Sequence, residues 1–172
     1  MKTAKEIRKD FDNGVVTPET LGALIYSVNK RAKNHRDKER EYRELRRNNR
    51  YFIDKYDNEG KAKSMKLYYY RMKDTFLTFL QPCEVHRATR VRWFDGEECL
   101  FAEYFLFYAF GGYTFHTPIE AEEVKNFSNL TVKDLEYFET VGEDVSDLLS
   151  VTFCKKVLNA LQTGAVHIQK TA

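Results

Sequence analysis

The residues with the most chemical reach lie close together between positions 86 and 116: His86, Arg90, Arg92, Glu103 and His116. Asp95-Gly96 separates two runs of alternating side chains, so 85–94 and 97–110 are predicted to form a β-hairpin. Gly111-Gly112 then turns the chain into a short third strand, 113–116. Counting outward from the turns pairs Arg90 with Phe101, Ala88 with Glu103, His86 with Phe105 and Phe107 with His116. One face therefore carries His86, Arg90, Arg92, Glu103, Thr114 and His116 among Phe101, Phe105 and Phe107. The other holds Val85, Thr89, Val91, Trp93, Leu100, Ala102, Tyr104, Leu106 and Tyr108 and is expected to be the core face.

The first face has the side-chain types of a metal-independent ribonuclease. Such an enzyme needs a base for the ribose 2′-OH, an acid for the leaving 5′-oxygen and a cation for the phosphorane charge. Glu103 or His86 suits the base and His116 the acid, with Arg90 and Arg92 as the phosphate clamp. His116 also precedes a predicted helix start, where an anion is welcome. The spacing opposes this: the backbones of His86 and His116 come out about 12 Å apart, so the side chains must lean together. Two rival readings of the same face are passive RNA or protein contact and a structural role.

Other chemistries find no support. Walker, G-x-G-x-x-G, G-x-S-x-G and H-E-x-x-H patterns do not occur, and Glu123-Val124-Lys125 falls on a predicted helix rather than a nuclease strand. The four histidines and three cysteines lack metal-ligand spacing, so no metal or cofactor is expected. Cys83, Cys99 and Cys154 are read as free thiols in a reducing compartment. No apolar signal segment opens the sequence, and the longest apolar run, 100–110, is too short to span a bilayer. A cytoplasmic protein with no membrane contact is the expectation.

The stretch KRAKNHRDKEREYRELRRNNR (30–50) carries ten Lys or Arg against four acids. Its apolar stripe is thin, with Ala32, Tyr42 and Leu45 the main candidates. Intrahelical pairs are worth only tenths of a kcal/mol each and do not offset that excess of charge. An anion from outside does: a nucleic-acid backbone is the commonest and an acidic protein surface the other, with a plain solvated helix as the third reading. Arg31, Lys33, Arg36, Arg40, Arg43, Arg46, Arg47 and Arg50, with Arg87 and Arg92 of the hairpin, are the candidate nucleic-acid contacts. RNA is favoured over DNA, with a ribonucleoprotein as the composite partner. No helix-turn-helix, zinc finger, RNP or KH signature accompanies them, so recognition would be of shape and charge.

The elements that must position these groups follow from start and stop signals. Thr3-Ala4-Lys5-Glu6 is a capping box opening a short helix, 4–13. Thr17-Pro18 starts a second helix, whose apolar positions Leu21, Leu24, Ile25, Val28 and Ala32 continue weakly as far as Tyr56. Asp57 to Gly60 turns the chain into a returning helix that ends at Gln81-Pro82, giving an antiparallel helical hairpin over 18–80. The sheet, 85–116, is expected as a three-stranded antiparallel meander. Helices are expected from Thr117-Pro118, from Thr131 and over 144–162. The fold class is α+β in a single domain, 1–172.

Charge divides the chain in two. Residues 1–92 hold 23 Lys or Arg against 13 acids, and residues 93–172 hold 5 against 13. The acidic half, with Glu120, Glu122, Glu123, Glu136, Glu139, Glu143, Asp144 and Asp147, raises a third possibility: a protein-only inhibitor occupying a basic nuclease groove. In general build, KRAKNHRDKEREYRELRRNNR followed by RVRWFDGEECLF resembles the phage- and mobile-element-encoded inhibitors of type II CRISPR effectors (anti-CRISPR proteins). These are compact, charged on one side and sometimes governed by a β-hairpin. The resemblance implies a nuclease inhibitor that blocks guide-RNA or DNA binding, or damages guide RNA. The oligomeric state is not set by the sequence.

Overall fold

A computed structural model describes residues 2–135 and 148–169. The chain is α+β and packs as two compact units, Met1–Phe79 with Val145–Ala172 and Leu80–Asp144, where length alone suggested one domain.

Among its described residues the first unit holds four helices: α1 (Ala4–Asp12), α2 (Pro18–Asn48), α3 (Asn58–Leu77) and α4 (Val151–Thr163). The expected capping box of α1 is present, with Glu6 N–H donating to Thr3 Oγ1 and Thr3 N–H to the Glu6 carboxylate. Thr17 caps α2 by accepting from Thr20 N–H, ahead of Pro18. Leu21, Leu24, Ile25, Val28 and Ala32 are fully buried. Each of the larger ones contributes about 1.5–3 kcal/mol, so the first half of α2 anchors the unit.

Beyond Ala32 the apolar stripe ends, and α3 holds the second half of α2 largely by polar contacts. Glu39 pairs with Arg43 at 3.2 Å and Lys66 at 2.6 Å, Arg46 with Glu59 at 2.9 Å, and His35 stacks on Tyr69. α2 stops at Asn48 instead of running on to Tyr56. Asn49 leaves the helical region, and its side chain accepts from Tyr51 N–H, a local bond that competes with continuing the helix. Ser150 caps α4, and Leu149 N–H donates to Ser27 Oγ at 3.1 Å.

The second unit is a four-stranded mixed sheet in the order β3-β2-β1-β4, not a three-stranded meander. Its strands are β1 (Glu84–Phe94), β2 (Glu97–Phe110), β3 (Tyr113–Ile119) and β4 (Val132–Leu135). Residues 132–135, expected as the start of a helix, add to β1 in parallel, Val85 opposite Val132. The Thr117-Pro118 signal marks no helix: β3 runs through it to Ile119, and only a 3₁₀ segment, Ala121–Phe127, follows. Pro118 is tolerated because β3 is an edge strand whose outer N–H groups need no partner. The last helix begins at Val151, with 148–150 outside it, and its expected start at 144–147 lies outside the described residues.

Candidate functional site

On α2, 100° per residue places Lys33, Arg36, Arg40, Arg43 and Arg47 on one stripe, spaced three and four apart over about 21 Å. Arg40 and Arg47 are exposed. Arg36 takes the adjacent Asp37 at 3.3 Å and Arg43 takes Glu39. Lys33, Arg40 and Arg47 make no ion pair among the described residues. Positive charge is crowded here. Burial pushes the Lys33 pKa down, and repulsion from Arg36 and Lys30 pushes it further. His35 is lowered by burial and then by Lys38.

Other predicted cations are turned elsewhere. Arg31 donates to the Ser27 carbonyl at 3.5 Å, and Arg46 holds the Glu59 carboxylate with two N–H bonds. Arg50 lies past the helix end, 5.7 Å over the Tyr51 ring. Of the cations on α2 predicted as contacts, those with no ion pair among the described residues and no such carbonyl or ring contact, Lys33, Arg40 and Arg47, lie on one stripe of the helix.

In the sheet, the register is the one counted from the turns, with His86 opposite Phe105 and Phe107 opposite His116. The expected 12 Å obstacle is nevertheless bridged by the side chains. His86 Nδ1 lies 2.8 Å from His116 Nε2, and His86 Nε2 lies 2.7 Å from a Glu84 carboxylate oxygen. An ionised Glu84 accepts only, so His86 Nε2 carries hydrogen and a neutral His86 accepts at Nδ1 from His116. His86 is buried and stacks on Phe107 at 4.5 Å. The chain Glu84–His86–His116 can store or pass a proton.

The phosphate clamp does not join it. Arg90 sits four residues along β1 from His86, about 13 Å away, and bonds Glu103 at 3.2 Å. Within the quartet, His86 meets His116 and Arg90 meets Glu103. Arg87, on the opposite face, is engaged by Asp134 at 2.7 Å, which holds that carboxyl below its usual range. Arg92 lies 4.5 Å over the Phe101 ring. The helix start expected at Thr117-Pro118 is strand instead, and the 3₁₀ segment that follows begins only at Ala121, so no helix N-terminus adjoins His116.

No family model, curated protein or solved structure matches the chain.

The face assigned to the core is only half core. Val85, Leu106 and Tyr108 are buried with Tyr113 and Phe115, but Val91, Trp93 and Leu100 are 49%, 69% and 67% exposed. Among the described residues, β4 flanks β1 as far as Ala88 and β3 flanks β2 from Tyr104 onward, so no further strand is described beside the hairpin over 90–103. Sequence reasoning missed Glu84, although its spacing of two from His86 puts both on one face of a strand. Among the described residues no cluster of His, Cys, Asp or Glu has the arrangement of a metal site. No described helix is long and apolar enough to cross a membrane.

Proposed function

We propose that this chain is a nucleic-acid- or ribonucleoprotein-binding protein, and that the α2 stripe of Lys33, Arg36, Arg40, Arg43 and Arg47 is its phosphate-contacting surface. The supporting observation is that Arg40 and Arg47 stand exposed without a carboxylate partner among the described residues. Guanidinium suits bidentate phosphate contact, and a helix without base-reading motifs recognises backbone and shape. Binding of this kind is what an inhibitor of a guide-RNA-loaded nuclease requires when it masks guide RNA.

Titrating a labelled structured RNA against salt tests the reading. Three to five phosphate contacts give a log–log slope of about −2 to −4. Replacing Arg40 and Arg47 together by glutamine should weaken binding and reduce the slope by about 2, while leaving the melting temperature unchanged. A wild-type protein that shifts neither RNA nor DNA at low salt removes the proposal.

The metal-independent ribonuclease reading keeps one observation in its favour, the His86–His116 contact backed by Glu84. Because Arg90 is engaged by Glu103 and lies away from that pair, binding without cleavage is the expected outcome. RNA incubated with the protein in EDTA should stay intact; cutting that His116→Ala abolishes would reverse the assignment.

A further inference from the structure

The loop joining α2 to α3, residues 49–57, displays side chains that the stripe on α2 leaves unused. Tyr51, Ile53 and Tyr56 are 83%, 82% and 65% exposed. Phe52, between the first two, is half-buried and packs on Tyr42 of α2, with ring centroids 6.4 Å apart. Local hydrogen bonds tie the loop at both ends. Tyr51 N–H donates to the Asn49 side chain, Phe52 N–H to the Asn49 carbonyl and Asp57 N–H to the Asp54 carbonyl, each at 3.1 Å. An ordered turn of chain, not a loose one, holds these rings in solvent. The loop lies at the end of α2 remote from Ser27, to which Leu149 is bonded, about 33 Å along the helix axis.

Each exposed tyrosine has a cation beside it. The Arg50 guanidinium lies 5.7 Å from the centre of the Tyr51 ring, and the Lys55 ammonium 5.6 Å from that of Tyr56. Neither cation makes an ion pair among the described residues. The loop's own carboxylates are engaged at the start of α3: Asp54 accepts from Asn58 and Glu59 N–H, and Asp57 from Gly60 N–H. Exposed rings with cations at their sides have the composition of a base-stacking platform. The ring takes the flat face of a base, and the cation takes the adjoining phosphate. Apolar groups displayed together on a held loop signal a partner.

Continuity with the α2 stripe decides the class of partner. Arg47 ends the stripe four residues before Tyr51, at most about 14 Å of chain. A bilayer would meet the tip alone, because the stripe runs about 21 Å back along the helix axis, and it would have to strip water from Asp54 and Asp57. An acidic peptide meets the cations but brings no planar group to the two rings. A nucleic-acid strand brings both phosphates and planar bases. We propose that Tyr51 and Tyr56 stack on unpaired bases, so that the RNA taken by this chain carries a single-stranded segment next to the stretch whose backbone lies on α2. Bases inside a duplex are stacked on each other and offer no free face. This inference rests on the α2 reading and names its substrate class: RNA with an unpaired end, bulge or loop, rather than blunt duplex.

Two labelled RNAs of equal phosphate count test this on the full chain: a blunt duplex, and a shorter duplex with a 3′ run of unpaired adenosines that includes one 2-aminopurine. The tailed RNA should bind about tenfold more tightly, with quenching of the 2-aminopurine. Tyr51→Ala combined with Tyr56→Ala should abolish the preference and the quench, while leaving affinity for the blunt duplex and its salt slope unchanged. Tyr51→Phe with Tyr56→Phe should keep both. The comparison of the two RNAs on the unaltered protein stands whatever the variants do to folding. Equal affinity for the two RNAs, or no quench, overturns the proposal and leaves the α2 reading in place. So does a double alanine variant of unchanged melting temperature that keeps the preference. Binding of neither RNA at low salt removes the α2 reading, and this inference with it. Cosedimentation with phosphatidylserine–phosphatidylcholine vesicles, lost in the double alanine variant, would assign the loop to a membrane surface and overturn the proposal.

Discussion

Lys73 is the clearest case of a single residue held against its solvation. It lies on α3, is buried, and has its ammonium 5.9 Å from the Tyr70 ring. Burial pushes its pKa down to about 8 from 10.5; Asp74 opposes the shift and Lys33 adds to it. Below about pH 8 both folded and unfolded chains hold the proton, and the folded state bears the full cost of a buried charge. Between pH 8 and 10.5 the unfolded chain binds more protons, so stability must rise with pH, by about 3 kcal/mol in all. Urea denaturation at stepped pH should show that rise. Lys73→Met should flatten it and raise the melting temperature at pH 7; a lower melting temperature would mean the ammonium is a net stabiliser. Cys154 is the opposite case, a thiol that burial pushes up to about 11 and so keeps unreactive. The histidine pair shows how much of the site was legible. Side-chain alternation put His86 and His116 on one face, but their meeting depends on how two rings lean across the Phe107 row, which spacing does not encode.

At the scale of elements, caps and turns were read well where a side chain bonds its own backbone. The start of α3 was read only as a turn, 57–60, and is a capped helix from Asn58: Asp57, in the left-handed region, accepts from Gly60 N–H at 3.2 Å, and Asp54 takes the N–H groups of Asn58 and Glu59 at 2.9 Å each. Those bonds hold the Asp54 carboxyl below its usual range. A Cβ on Gly60 would run into the Asp57 carboxylate. Alanine has the higher helix propensity, yet Gly60→Ala should cost stability, by up to about 1 kcal/mol, because the cap must move aside. Chemical denaturation decides the sign, and a gain would show that the Asp57 cap contributes nothing. Elements were misread where a local signal serves two structures. Thr117-Pro118 suits a helix start and an edge strand equally, and Val132–Leu135 became a strand only because β1 offered a free parallel edge.

For the whole molecule, the first unit is assembled from both ends of the chain and the second from the middle. Native-state hydrogen exchange in rising denaturant should then show separate openings. Amides of the buried half of α2 and of α4 should merge into one isotherm, and those of β1 and β2 near Val85 and Leu106 into another. The exposed turn end of the hairpin, around Asp95-Gly96, should exchange at the lowest free energy, since exposed backbone with few buried contacts opens locally. One common isotherm for all of these amides would mean that the units unfold as one.

By itself the sequence determined the α+β class, the starts of α1 and α2, the hairpin register and the concentration of arginine on α2, because each follows from bonds or periodicities within a few residues. The tertiary structure decided which arginines are ion-paired among the described residues, that Glu84 backs the His86–His116 contact, and that half of a strand face resembling core stands in solvent. Those outcomes depend on where neighbouring strands and carboxylates stop. The end of β3 is set by packing between residues far apart in the chain, and no local pattern carries that information.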